Sequence, residues 1–164
     1  MSRTLGIDFG GVLSIHDSPD TGKEHRSVAI NMPYALETLR KLKSDGHRLV
    51  LVSFAGKSRS IETMASIEET CPDVFDCIYF VKDKAHKLAI CQYEGCDVMI
   101  DDREDILESF IGTDVMPILY GGQSSSIITM KDWQDDVTKL FPPAIVHVRK
   151  EINLSKLTYI SKQN

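Results

Sequence analysis

The 164-residue chain has no excess of positive charge, no long apolar run and no closely paired cysteines. Its 19 Lys and Arg are outnumbered by 24 Asp and Glu, for a formal net charge of −5. A protein that coats nucleic acid with its whole surface is basic, so general nucleic-acid binding is not expected, although a local basic patch stays open. No stretch of apolar residues is long enough for a membrane-spanning helix, so no membrane partner is expected. The opening residues, MSRTLGIDFGGV, lack the apolar core and small-residue cleavage site of a secretory leader. A cytoplasmic location is therefore expected. The four cysteines (Cys71, Cys77, Cys91, Cys96) form no CxxC pair, and the five histidines have no ligand spacing to them. Neither a disulfide framework nor a zinc site is expected. There is no internal repeat, no low-complexity tract, no P-loop and no GxGxxG fingerprint.

What is present is a globular composition, 42% hydrophobic and 26% charged, at a length suited to one domain. Five short runs rich in Val, Ile, Leu or aromatics read as strands, at 4–7, 48–52, 77–81, 97–100 and 115–120. Most are polar only at their ends, as in strands buried on both faces of a parallel sheet. Helical patterns fall between and after them, at 33–44, 59–70, 83–93, 103–111 and 131–141. Leu36, Leu39 and Leu42 form the apolar stripe of the first, which Asp45-Gly46 ends. Strand and helix in alternation predict an α/β domain with a mostly parallel, five-stranded sheet and helices on both faces. The core is expected over 1–141. Residues 13–32 read as a short polar flap and 142–164 as a C-terminal extension. Within the extension, 144–148 alternate like an edge strand or an oligomer contact, which admits a homodimer. The last four residues, 161–164, read as loose.

In such sheets ligands sit beyond the carboxyl ends of the strands. After the first strand comes Asp8-Phe9-Gly10-Gly11, after the second Ser53-Phe54-Ala55-Gly56, and after the fourth Asp101-Asp102-Arg103. Lys82, Lys84 and Lys87 stand near the start of the third helix. Paired carboxylates suit a hard divalent cation. A hydroxyl, backbone amides and a lysine suit phosphate oxygens. A carboxylate aimed at phosphorus can act as a nucleophile.

These residues, in this order, resemble the motifs of the haloacid dehalogenase (HAD) superfamily of phosphohydrolases. The resemblance covers about residues 4–120. Leu5-Gly6-Ile7-Asp8-Phe9-Gly10-Gly11-Val12 is similar to the family's hhhDxDx[TV], Val50-Leu51-Val52-Ser53 to its strand ending in Ser or Thr, and Val98-Met99-Ile100-Asp101-Asp102 to its acidic fourth motif. The third motif is a lysine, for which Lys87 is favoured over Lys84, one helical turn earlier. The resemblance implies a three-layer Rossmann-like fold and a Mg²⁺-dependent phosphatase working through an aspartyl phosphate. Asp8 would attack phosphorus and ligate Mg²⁺ together with the Gly10 carbonyl, Asp101 and Asp102. Ser53 and the amides of Phe54 and Ala55 would bind phosphate oxygens, and Lys87 would neutralise charge.

One residue departs from the pattern. The family's general acid and base, two residues after the nucleophile, is Gly10 here. His16, Asp17 and His86 are the substitutes nearest to the motifs in sequence. A non-catalytic phosphate- and metal-binding protein is therefore the alternative reading. Neither cap position leaves room for a folded cap, and an open site suits a small-molecule or macromolecular phosphomonoester, with a nucleotide, a nucleic-acid end or a phosphoprotein among the candidates.

Overall fold

The computed structural model describes residues 1–15 and 28–164. The expected flap, with His16 and Asp17, lies largely outside the described residues. The chain forms β1 (Thr4–Ile7), α1 (Ala35–Ser44), β2 (Arg48–Phe54), α2 (Lys57–Thr70), β3 (Cys77–Val81), α3 (His86–Glu94) and β4 (Val98–Asp101). It continues through α4 (Glu104–Leu107), β5 (Met116–Tyr120), β6 (Ile128–Met130), α5 (Leu154–Leu157) and β7 (Thr158–Gln163). The strands make one sheet in the order β6-β5-β4-β1-β2-β3-β7, parallel except for β7.

The sheet is buried on both faces because its residues alternate between two cores. On β2, Leu49 and Leu51 pack on one side with Leu39 and Leu42 of α1 and Ile67 of α2. Val50 and Val52 pack on the other with Ile90 and Cys91 of α3 and Leu107 of α4. All four cysteines are buried and unpaired. Among the described residues, no helix is long and apolar enough to cross a membrane.

Gly6 sets the distance between β1 and α3. A Cβ there would stand 3.0 Å from both Cys91 Sγ and Met99 Sδ. Cys91 lies one helical turn after Lys87 and shares its face of α3. Gly6→Val is therefore expected to push α3 off the sheet and destabilise the fold by about 1–3 kcal/mol, as overpacking does. Urea unfolding measures the loss. An unchanged midpoint would show that α3 yields without cost.

The sheet has seven strands rather than the five expected. β6 and β7 were not foreseen. β7 occupies the open edge of β3 as an antiparallel partner, pairing Cys77 with Gln163 and Val81 with Thr158. Residues 161–163, expected to be loose, are part of it, and the Asn164 amide reaches the Phe75 carbonyl at 3.0 Å. The run at 144–148 is not a strand. His147 instead sits between Asp97 (3.1 Å) and Asp114 (3.3 Å), and Val146 is 94% exposed.

The helix expected at 131–141 is also absent; a 3₁₀ turn at Val137–Leu140 stands in its place. Three aspartates in that segment bond nearby backbone amides: Asp132 takes that of Gln134, Asp135 that of Lys131 and Asp136 that of Thr138. Such local bonds compete with a helix.

Candidate active site

Register alone brings two of the site carboxylates together. Ile7 of β1 pairs with Ile100 of β4, so Asp8 and Asp101 follow side by side where the chain's strand order reverses. The Asp8 amide continues the ladder onto the Ile100 carbonyl at 2.9 Å. On the other side Ile7 pairs with Leu51, which carries Ser53 to the same end of the sheet. Beyond Asp8 the chain turns tightly. The amides of Leu13 and Ser14 both donate to the Phe9 carbonyl, and Gly11 adopts a φ of 78° that suits glycine. The buried indole of Trp133 donates to the Val12 carbonyl at 2.8 Å and fixes this turn from behind.

Lys87 rises from the first turn of α3 and is 2% exposed. Its ammonium donates to Asp8 Oδ1 at 3.0 Å and to Asp101 Oδ2 at 2.7 Å. Burying this cation is costly, and two carboxylates within hydrogen-bond reach offset that cost. Burial pulls the Lys87 pKa down, but the attraction of Asp8 and Asp101 outweighs it, and the ammonium is held charged. Lys84 takes neither contact. It lies at the rim, 5.4 Å above the Phe54 ring. The geometry thus separates the two lysines that the sequence left as alternatives.

Asp8, Asp101 and Asp102 each offer an oxygen, and these atoms lie within 4.8 Å of one another. Clustered hard oxygen donors suit Mg²⁺ or a similar cation. Asp101 also accepts the Arg103 amide at 3.1 Å, which orients it.

Burial raises the Asp8 pKa from 3.8 to about 7; the charges of Asp101 and Asp102 add to the rise, and Lys87 opposes it. In the metal-free fold, Asp8 is thus protonated below about pH 7. Its contribution to stability is full below the unfolded value near 4 and is lost as pH rises through 7. A cation needs the carboxylate, so binding expels a proton there. Mg²⁺ affinity is expected to rise about tenfold per pH unit below pH 7 and then level off. Calorimetry in two buffers of different ionisation heat reads the released proton; a flat profile would refute it.

A cleft of about 110 Å³ opens over these groups, lined by Asp8, Gly10, Ser53, Phe54, Ala55, Lys87 and Asp102. Ser53, 6% exposed, is the penultimate residue of β2. α2 begins just after Gly56, which offers its first turn no side-chain cap, so the positive end of the helix stands beside the cleft. Arg59, Thr63, Lys84 and Arg103 add polar groups to the lining. Sequence reasoning missed Arg59 and Thr63. Their spacing of four on one helix, starting six residues after Ser53, was the available signal. His86 does not line the cleft, and its Nδ1 is buried without a hydrogen-bond partner.

No protein-family model matches the sequence, and no curated protein matches it. Solved structures do match. The chain is similar to a HAD-superfamily hydrolase from Ehrlichia chaffeensis, with 15% identity, a TM-score of 0.58 and coverage of 85% of this chain and 97% of that one. It is similar to D,D-heptose 1,7-bisphosphate phosphatase from B. bronchiseptica, solved with magnesium and phosphate, with 15% identity, a TM-score of 0.60, and coverage of 84% and 97%. A phosphoserine phosphatase in apo form aligns with 15% identity, a TM-score of 0.55, and coverage of 87% and 100%.

Proposed function

From the fold of the HAD-superfamily hydrolases as premise, we propose that this chain is a Mg²⁺-dependent phosphomonoesterase using Asp8 as nucleophile. The observation that carries the reading is the buried Lys87 bridging Asp8 and Asp101 at the reversal of strand order. A structural ion pair has no need of an open cleft, an uncapped helix start and a third carboxylate around it.

Asp8, Asp101 and Asp102, with the Gly10 carbonyl, would hold Mg²⁺, which when bound neutralises charge on the phosphoryl oxygens. Ser53 and the amides at the start of α2 would take the remaining oxygens. Lys87 holds Asp8 in place and offsets negative charge as the phosphoryl group approaches. An Asp8 carboxylate oxygen forms the bond to phosphorus as the ester P–O bond breaks. The leaving alkoxide takes its proton from solvent, because Gly10 offers none. Water then attacks the aspartyl phosphate, releases inorganic phosphate with a proton and restores the carboxylate. The chemistry suits good leaving groups best.

Hydrolysis of p-nitrophenyl phosphate with Mg²⁺, against the same protein in EDTA, tests the proposal. Metal-dependent release of nitrophenolate is expected. Its absence would favour the reading that Gly10 motivates, a pocket that binds phosphate and metal without turnover.

A further inference from the structure

The phosphate cleft does not stand alone on its rim. A second groove lies along the same end of the sheet, lined by Lys57, Lys82, Leu154, Ser155, Thr158 and Tyr159. Two short segments separate the two concavities. Phe54 and Ala55 line the first and Lys57 the second; Lys84 lines the first and Lys82 the second. Residues two apart are within about 7 Å, so the grooves are neighbours.

Each groove carries the same pair of groups. Phe54 is 42% exposed with Lys84 Nζ at 5.4 Å from its ring, and Tyr159 is 46% exposed with Lys82 Nζ at 5.3 Å. The C-terminal segment builds the second pair. Lys82 donates from its backbone to the Leu157 carbonyl at 2.9 Å and from its ammonium to the Ser155 carbonyl at 3.0 Å, which fixes it beside Tyr159. Among the described residues, no carboxylate lines the second groove, although acidic residues exceed basic ones in the chain as a whole. Carboxylates do lie near the first. Asp105 is paired with Arg103, and Asp83 accepts the Ala85 amide.

We infer that the substrate is the phosphorylated end of a single-stranded nucleic acid, its terminal phosphate in the Asp8 cleft and the adjoining nucleotides on the Phe54 and Tyr159 platforms. This rests on the phosphatase reading above. Exposed rings that stack bases, interleaved with ammonium groups that follow the phosphates, are how proteins hold single strands without reading sequence. A phosphopeptide would gain little from two flat rings, and a free mononucleotide would leave the second groove empty. The net charge of −5 is in keeping with a local binding strip rather than a surface that coats nucleic acid.

The test is fluorescence anisotropy of labelled single-stranded decamers with a 3′ phosphate, a 5′ phosphate or neither, on the Asp8→Asn protein. One of the phosphorylated decamers is expected to bind at least about tenfold tighter than the unphosphorylated one and than thymidine monophosphate, and to weaken as salt rises. Tyr159→Ala is expected to reduce the ratio of decamer affinity to inorganic phosphate affinity about tenfold. Lys57→Ala provides a second variant should the first disturb β7. Equal binding with and without the terminal phosphate, an unchanged ratio in both variants, or equal binding of a phosphopeptide of the same charge would overturn the inference. Tight decamer binding with no p-nitrophenyl phosphate turnover in the parent would uphold the ligand class and refute the enzymatic reading alone.

Discussion

Asp8→Asn is expected to abolish Mg²⁺-dependent hydrolysis of p-nitrophenyl phosphate, by at least about 10³-fold, while leaving the protein folded. The amide keeps the shape of the carboxyl group but is a far weaker nucleophile and a poor ligand for a hard cation. Folding is spared because the substitution removes a charge that burial already disfavours, as the Asp8 pKa near 7 shows. Lys87 loses the charge of its 3.0 Å partner but keeps the shorter ion pair to Asp101 at 2.7 Å, so the buried ammonium is not left unpaired. The variant therefore has a second readout. In the parent, Mg²⁺ at a hundred times its dissociation constant is expected to add about 2.7 kcal/mol of stability, and most of that gain is expected to vanish in Asp8→Asn. Retained turnover would exclude Asp8 as the nucleophile. Lost turnover with a full Mg²⁺ response would leave Asp8 its chemistry and transfer the metal to other residues.

Gly10→Asp is expected to raise turnover of an alkyl phosphate such as thymidine 5′-monophosphate by about 10²–10⁴-fold and to change that of p-nitrophenyl phosphate little. The difference follows from the leaving groups. Nitrophenolate departs without a proton, whereas an alkoxide needs one, and a carboxyl two residues after Asp8 would supply it. Gly10 lines the cleft, and its neighbour Gly11, not Gly10 itself, is among the glycines with positive φ. An Asp at position 10 would therefore meet no left-handed backbone strain. A proportional gain on both substrates would place the benefit in the step they share, the attack of water on the aspartyl phosphate, rather than in protonation of the leaving group. No gain on either would show that protonation is not what limits the parent.

The parts of this molecule legible in the sequence are those that local pattern dictates. β1 and β3 coincide with their apolar runs because both are buried on two faces, and Asp8 after β1, Ser53 near the end of β2 and Asp101-Asp102 at the end of β4 stand out as polar punctuation closing such runs. The order of those residues carried the resemblance, but their convergence is a product of register between strands far apart in the chain. β7 was illegible for the opposite reason. Thr158, Ser161, Lys162 and Gln163 make a weakly apolar strand, and only the unfilled edge of β3 makes it one. The 131–141 segment has helical spacing in its apolar residues, and its aspartates defeat it through bonds that spacing cannot reveal. The Lys57, Lys82 and Tyr159 groove has no sequence signature at all, since its walls come from α2, the residue after β3, α5 and β7.

The late arrival of β7 has a consequence for how the protein is made. β3 leaves the ribosome long before the strand that covers its edge, with α3, β4, α4, β5 and β6 synthesised in between. At roughly 5–20 residues per second, the bare edge of a strongly apolar strand stands open for several seconds in every nascent chain. An uncovered edge is a template for pairing with another molecule. Until Thr158–Gln163 has been made and released, the growing sheet thus keeps one edge unpaired at β3.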